Sequence, residues 1–299
     1  MKKSLLALAV AVCAIGVAQA QSNDSLAKIK AAGKVVIGTR DSSAPLAYTT
    51  GDGKYTGYHV EICNRIADAI KADLKMPNLG VEYALVTSQN RIPLVVNGTV
   101  DLECGSTTNN KARAQQVAFA PTTYVTNVRI AVRGSSGINS VADLKGKKVA
   151  TTTGTTSVQL LRKHERAKGV QFDEIFGKDH ADSFLLMESG RADAFVMDDN
   201  ILAGLIVNSK TPSEFKIVGE SLSEEPIAIM YRKDDPAFKK VVDGAVTAMM
   251  KSGEIEKIYN KWFMQPIPPR NVSVDMPMTA SLKDAIAHPN DKPAEDYKK

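Results

Sequence analysis

Two arginines, Arg40 and Arg91, carry the most informative chemistry in this sequence. A guanidinium binds a carboxylate through two parallel hydrogen bonds and stays charged at any physiological pH. Two arginines therefore suit a ligand that has two carboxylates. Each arginine also has an ordinary explanation, because a surface position or an ion pair with Asp41 or Glu103 would account for it equally well.

Threonine, glycine and serine fill residues 151–157, where a helix is predicted to begin. Free backbone N–H groups at a helix N-terminus, with hydroxyls beside them, favour a bound carboxylate. The same composition is typical of ordinary N-capping, so both interpretations stay open. The run is not a Walker loop, because no Gly-Lys-Ser/Thr follows it.

His180 and Asp198 are two further candidates, each beside a predicted helix start. His180 lies in a polar loop next to Asp179 and Asp182, so it is a donor to a ligand carboxylate, a cap or a surface ion-pair partner. Asp198 ends a strand of apolar residues, and a carboxylate at that position suits an ammonium group. The N-cap of a helix that begins near Asn200 is the other interpretation.

The elements that must position these residues are alternating strands and helices. Buried strands are predicted at residues 35–38, 81–86, 100–103, 148–151, 174–176 and 194–197. Such alternation predicts an α/β fold with mainly parallel sheets flanked by helices. Polar clusters follow the strand ends at residues 39–43, 87–91, 105–110, 151–157, 178–180 and 198–199. Ligands bind at that end of parallel strands.

The pattern occurs twice, which predicts two lobes. The length of 299 residues also exceeds what one core usually supports. Extended apolar segments at residues 126–133 and 225–232 are the predicted crossings between the lobes. The prediction is a discontinuous first lobe of residues 21–129 and 229–299, a second lobe of residues 130–228, two hinge strands, and a ligand cleft between the lobes.

Residues 1–20 are typical of a cleavable secretory signal. Two lysines precede a short apolar stretch, and Ala18-Gln19-Ala20 forms a small-residue cleavage site. The stretch is shorter than the roughly 20 residues of a spanning helix, and Val12 before Cys13 argues against a lipid anchor. We therefore predict cleavage after Ala20 and export to the periplasm.

Two cysteines remain after cleavage, Cys63 and Cys104. An exported protein meets an oxidising compartment, so the two either form a disulfide or stay as separate buried thiols. Their spacing supports no metal site. The basic runs are interrupted and lack interleaved aromatic residues, which argues against nucleic-acid binding.

Several motifs together resemble the periplasmic glutamate/aspartate-binding proteins of ABC transporters, solute-binding protein family 3. The resemblance covers nearly the whole mature chain. Its most specific stretches are TSQNRIPL at 87–94, ECGSTTNN at 103–110, GTTS at 154–157, DSFLLMESGRA at 182–192 and WFMQPIPP at 262–269. It implies a two-lobe periplasmic-binding-protein-like type II fold that closes on an L-amino acid and delivers it to a membrane permease.

The resemblance also implies roles for individual residues. Arg40 and His180 would hold the side-chain carboxylate of glutamate or aspartate, and Arg91 and Thr156 would hold the α-carboxylate.

Three more roles complete the implied site. Asp198, with the region of Ser106, would receive the α-ammonium group, and Ser88 and Thr108 would be further hydrogen-bond partners. The resemblance implies a protein, expected to be a monomer, with no cofactor, no metal and no catalytic residue.

Three alternatives remain. A periplasmic lyase such as a dehydratase would need a poised acid or base; Glu103 and His180 are candidates, but no nucleophile, metal or cofactor motif accompanies them. A sensor domain is disfavoured because no long apolar segment follows residue 20. A glutamine-binding protein is disfavoured because it would leave Arg40 buried without a counter-charge.

Overall fold

The computed structural model describes residues 24–297, in which strands and helices alternate. The strands are β1 Lys34–Thr39, β2 Ser42–Ser43, β3 Ala47–Thr49, β4 Tyr55–Thr56, β5 Gly80–Leu85, β6 Leu102–Glu103, β7 Val117–Phe119, β8 Tyr124–Arg133, β9 Lys148–Thr152, β10 Asp173–Gly177, β11 Ala194–Asp198, β12 Phe215–Ile227 and β13 Met230–Arg232. The helices are α1 Ser25–Ala32, α2 Tyr58–Leu74, α3 Arg91–Val96, α4 Lys111–Ala114, α5 Thr156–Lys168, α6 His180–Glu188, α7 Asp199–Asn208, α8 Pro236–Lys251, α9 Glu254–Tyr259 and α10 Ala280–Ala287. A π-helical turn, Asn260–Met264, follows α9.

Lobe 1 is built on a sheet with the strand order β5-β1-β6-β13-β7. Strand β1 pairs in parallel with β5 and β6, and β13 pairs antiparallel with β6 and β7. Helix α2 packs on this sheet because its apolar residues recur at helical spacing, with Ile62, Ile66 and Ile70 fully buried. The strands β2, β3 and β4 form a small separate antiparallel sheet.

Lobe 2 repeats the arrangement with the strand order β10-β9-β11-β8-β12. Strand β9 pairs in parallel with β10 and β11, whereas β8 pairs antiparallel with β11 and β12. The centre of the sheet is apolar on both faces, as a sheet covered by helices requires. The predicted two-lobe α/β fold is confirmed.

Strands β8 and β12 connect the lobes, side by side. At their paired ends, Val125 and Ile227 lie in the hydrophobic core of lobe 1, whereas Val128 and Leu222 lie in a core of lobe 2. The strands therefore pass from one core to the other together. The predicted division after residues 129 and 228 lies close to these changes and stays a prediction.

A disulfide links Cys63 in α2 to Cys104, directly after β6. The Cα atoms are 6.3 Å apart, and 41 residues separate the two cysteines in sequence. The bridge fastens the start of the loop that leaves β6 to the helix that covers the sheet. It therefore anchors residues 105–108, which carry two predicted ligand contacts.

Two glycines lie where the lobes touch. A Cβ atom on Gly154 would stand 2.8 Å from the backbone carbonyl of Ser88, across the cleft in lobe 1. A Cβ atom on Gly204, inside α7, would overlap the carbonyl oxygen of Ala44 in lobe 1. Real side chains do not approach this closely, so both positions require glycine in this closed arrangement.

The predicted signal at residues 1–20, with its cleavage after Ala20, lies outside the described residues. Among residues 24–297, no helix combines the length and the apolar character that crossing a membrane requires.

Candidate ligand-binding site

The predicted site residues converge on one cavity between the lobes. The space between protein atoms at this place is about 200 Å³, open solvent included, and its lining residues come from both lobes: Ser88, Arg91, Ser106, Thr108, Thr155, Thr156, His180, Met197 and Asp198. Seven of the eight predicted ligand-binding residues are in this lining. The eighth, Arg40, is fully buried and contacts two of the others. The strand ends that carry them therefore meet as the sequence predicts.

Arg91 has the clearest need of a ligand. It begins α3, only 2% of its surface is exposed, and burial lowers the pKa of its guanidinium. Its Nε and Nη1 groups have no hydrogen-bond partner within residues 24–297. Leaving buried donors unsatisfied is costly, more so when they are charged. A carboxylate in the cavity would supply the missing acceptors.

Arg40 lies at the other side of the site, between the lobes. Its Nη1 donates to Ser106 Oγ at 3.2 Å, and its Nη2 lies 3.3 Å from His180 Nε2. Burial and the neighbouring Arg91 lower the pKa of Arg40 to about 10, so it stays charged at neutral pH. Neither Asp41 nor Glu103 forms an ion pair with it among the bonds of the described chain.

His180 is a neutral acceptor in this arrangement. Burial, followed by the charges of Arg40 and Arg91, lowers its pKa well below the ordinary value. Because a guanidinium only donates, His180 Nε2 accepts from Arg40, and Nδ1 carries the proton that faces Thr152 Oγ1 at 3.1 Å. His180 therefore orients Arg40, whereas the sequence favoured a donor, a cap or a surface ion pair.

Asp198 is the acidic group of the cavity. It precedes α7 at the N-cap position, yet its side chain makes no capping hydrogen bond. Burial, with Glu225 and Asp199 nearby, raises the pKa of Asp198 well above its ordinary value. A ligand ammonium group would compensate for this unfavourable burial. The capping alternative therefore does not describe this side chain.

Hydroxyl groups line the remaining wall. Ser88 Oγ is buried and has no partner in the described part of the chain. Thr108 Oγ1, from lobe 1, donates to Glu225 Oε2 at 2.6 Å, and Thr156 Oγ1, from lobe 2, donates to the same oxygen at 2.8 Å. The sequence analysis missed Glu225. The one signal was a carboxylate inside a predicted apolar hinge strand.

Arg113 is a second residue that the sequence analysis missed. Its Nη1 donates to the carbonyl oxygen of Thr108 at 3.0 Å, and its Nη2 donates to that of Gly154 at 3.3 Å. Arg113 and Thr108 belong to lobe 1 and Gly154 belongs to lobe 2, so the second bond joins the two lobes across the cleft. No sequence signal separated it from other surface arginines.

The arrangement places two guanidinium groups in lobe 1 opposite one carboxylate in lobe 2, with hydroxyls between them. This set suits a small zwitterion with more than one carboxylate. Among residues 24–297, no group of three or more His, Cys, Asp or Glu side chains is arranged to hold a metal ion.

Comparisons with known proteins agree with this geometry. Residues 35–265 match the model of a family described as bacterial extracellular solute-binding proteins, family 3. The chain is 45% identical over 295 residues to the L-glutamate/L-aspartate-binding protein of Pseudomonas aeruginosa, covering 98% of each chain. It is 42% identical over 297 residues to the glutamate/aspartate import solute-binding protein of Escherichia coli, again covering 98% of each chain.

Solved structures share the fold. An ancestral arginine-binding protein bound to glutamine superposes with a TM-score of 0.69 and 29% identity, covering 77% of this chain and 98% of that one.

Proposed function

Because this chain belongs to family 3 of the bacterial extracellular solute-binding proteins, we propose that it captures L-glutamate or L-aspartate for import by an ABC transporter. An anionic ligand is inferred mainly from Arg91, which lines the cavity together with Asp198 and whose buried Nε and Nη1 groups have no partner among the described residues. The relatives named for glutamate and aspartate support the same ligand. The protein is a solute-binding protein, not an enzyme.

The two carboxylates of the ligand are assigned to different sides of the cavity. The side-chain carboxylate meets Arg40, which His180 orients, and the α-carboxylate meets Arg91 and the start of α5 at Thr156. The contacts of Arg40 with Ser106 and His180 support its assignment, because they fix the guanidinium at the cavity edge.

The ammonium group is assigned to Asp198 and the region of Ser106. Ser88 and Thr108 complete the polar wall. The position of Asp198, buried at the cavity and without a capping bond, supports this assignment.

Binding works through closure of the cleft. Ligand contacts from both lobes exist together only in the closed state, so the ligand shifts the open–closed equilibrium. We place the two points at which the chain crosses from one lobe to the other near residues 129 and 228. The mature chain, cleaved after Ala20, acts in the periplasm as a monomer and delivers its ligand to the membrane permease.

Calorimetry of the refolded, ligand-stripped mature protein against a panel of amino acids tests this function. We expect tight binding of glutamate or aspartate and little affinity for glutamine. Equal affinity for glutamine would contradict an anionic ligand.

A second measurement tests the role of Arg40. Arg40→Ala should weaken dicarboxylate ligands by about 30-fold or more, since it leaves a ligand charge unpaired in a buried site, and should weaken neutral amino acids far less. Arg65→Ala is the matched control, because Arg65 pairs with Glu254 at the surface of lobe 1. A uniform loss across the panel would refute the assigned role.

A further inference from the structure

Glu225 joins two residues of the cavity wall that come from different lobes. Its Oε2 accepts the hydroxyl of Thr108 at 2.6 Å and the hydroxyl of Thr156 at 2.8 Å. Glu225 lies on the hinge strand β12, with only 3% of its surface exposed. Both bonds are short, and both end on the same oxygen.

These bonds fix the direction of two protons. A threonine hydroxyl has one proton to donate and two lone pairs that accept. Because each proton is donated to Glu225, only lone pairs are left for the ligand cavity. Thr108 and Thr156 therefore offer acceptors to a ligand, which suits an ammonium group and repels a carboxylate.

Glu225 itself does not touch the ligand cavity. It lines a second cavity on the other side of the same wall, together with Gln159 and Lys163, whereas Thr108 and Thr156 line both cavities. Its hydrogen bonds therefore reach the ligand only through the two threonines, whereas its charge also acts at longer range on Asp198 and Arg91. This makes Glu225 a positioning residue.

We propose that Glu225 determines specificity for the ligand's α-ammonium group by holding the Thr108 and Thr156 hydroxyls as acceptors. With Asp198, these hydroxyls form one wall that accepts hydrogen bonds. The proposal rests on the proposed function and refines it, because Thr156 then meets the α-carboxylate through the backbone at the start of α5 and not through its hydroxyl.

The test compares L-glutamate with glutarate, the dicarboxylate that lacks the ammonium group. Calorimetry gives the ratio of the two affinities in the wild type, in Glu225→Met and in Glu225→Gln. Methionine keeps the side-chain length without an acceptor, whereas the amide oxygen of glutamine still accepts both hydroxyls. Glu224→Gln, at the preceding residue of β12, is the matched control.

We expect Glu225→Met to lower the glutamate-to-glutarate ratio by about tenfold or more, as loss of hydrogen bonds to a charged group implies. Glu225→Gln should retain most of the ratio, and Glu224→Gln all of it. An unchanged ratio in Glu225→Met, or an equal loss in the Met and Gln variants, would overturn the proposal.

A second pair of variants keeps the test valid if Glu225→Met does not fold. Thr156→Val should weaken glutamate and leave glutarate almost unchanged, and Thr156→Ser should restore the ratio. If Thr156→Val weakens both ligands equally, the hydroxyl serves a carboxylate and the proposal is wrong. The wild-type affinity for glutamate tests the proposed function separately, because only the glutamate-to-glutarate ratio tests the role of Glu225.

Discussion

Gly204→Ala should impair closure of the cleft without lowering the stability of lobe 2. Gly204 lies inside α7, and an added Cβ would stand 2.7 Å from the carbonyl carbon of Ala44 and 3.2 Å from its Cβ, in the opposite lobe. The added Cβ would also overlap the backbone carbonyl oxygen of Ala44, which is not the end of a flexible side chain, so the lobes must move apart to accommodate it.

The cost falls only on the closed state. Overpacking of this kind costs about 1–3 kcal/mol, which corresponds to a rise in the dissociation constant of roughly 5- to 150-fold. In the open state the same methyl group meets no neighbour across the cleft. There, alanine should stabilise α7 by about 1 kcal/mol relative to glycine.

The assay combines calorimetry with thermal unfolding, both with and without glutamate. Gly204→Ala should unfold at the same or a higher temperature without ligand, bind glutamate more weakly, and gain less stability from it. Gly244→Ala is the matched control, because Gly244 lies inside α8 and an added Cβ meets nothing within 4 Å. Unchanged affinity in Gly204→Ala, or an equal loss in Gly244→Ala, would refute the reasoning.

Three further predictions follow from buried groups. Glutamate affinity should fall by about tenfold per pH unit below the raised pKa of Asp198, because protonation removes the charge that holds the ammonium group. Calorimetry across pH should show this slope in the wild type and not in Asp198→Asn. Burial lowers the pKa of His59 to about 4 from an ordinary 6.5, so the unfolded state binds the proton at a higher pH than the folded state. The free energy of unfolding should therefore fall by about 3 kcal/mol as the pH drops from 6.5 to 4. Urea titrations of His59→Gln should show a smaller fall, and a pH profile identical to that of the wild type would disprove the assignment. Replacing Cys63 and Cys104 by alanine should lower the free energy of unfolding by about 4 kcal/mol, from the 41-residue separation; denaturant titration measures this, and thiol labelling of the native protein should find no free thiols.

The sequence predicted the main elements well because their patterns are long. Apolar residues recur at helical spacing over residues 58–71, which predicts a helix there, and α2 spans Tyr58–Leu74. Strand β1, predicted at residues 35–38, spans Lys34–Thr39. The polar clusters at strand ends then located the cavity, because the ends of parallel strands meet at one edge of a sheet.

The shortest elements could not be predicted from such patterns of apolar and polar residues. Strands β2 and β4 have two residues each, too few to show an alternation of apolar and polar side chains. The sequence predicts one continuous helix over residues 254–263, whereas α9 ends at Tyr259 and a π-helical turn follows. In that turn Trp262 Nε1 donates to Glu61 of α2, a contact between residues 201 positions apart.

Partners distant in sequence explain the rest of the site. Glu225 matters because Thr108 and Thr156 reach it from 117 and 69 residues away. His180 is a neutral acceptor because Arg40 faces it from 140 residues away. A linear sequence contains the residue types but not these encounters, so roles that depend on proton direction needed the structure.

The cavity separates charge between the lobes, and this has a consequence for kinetics. Arg40 and Arg91 belong to lobe 1, whereas Asp198 belongs to lobe 2. An anionic amino acid that approaches the open cleft is attracted first by lobe 1, and lobe 2 engages its ammonium afterwards. Added salt screens the long-range attraction but not contacts buried after closure. Capture therefore slows in salt while release keeps its rate.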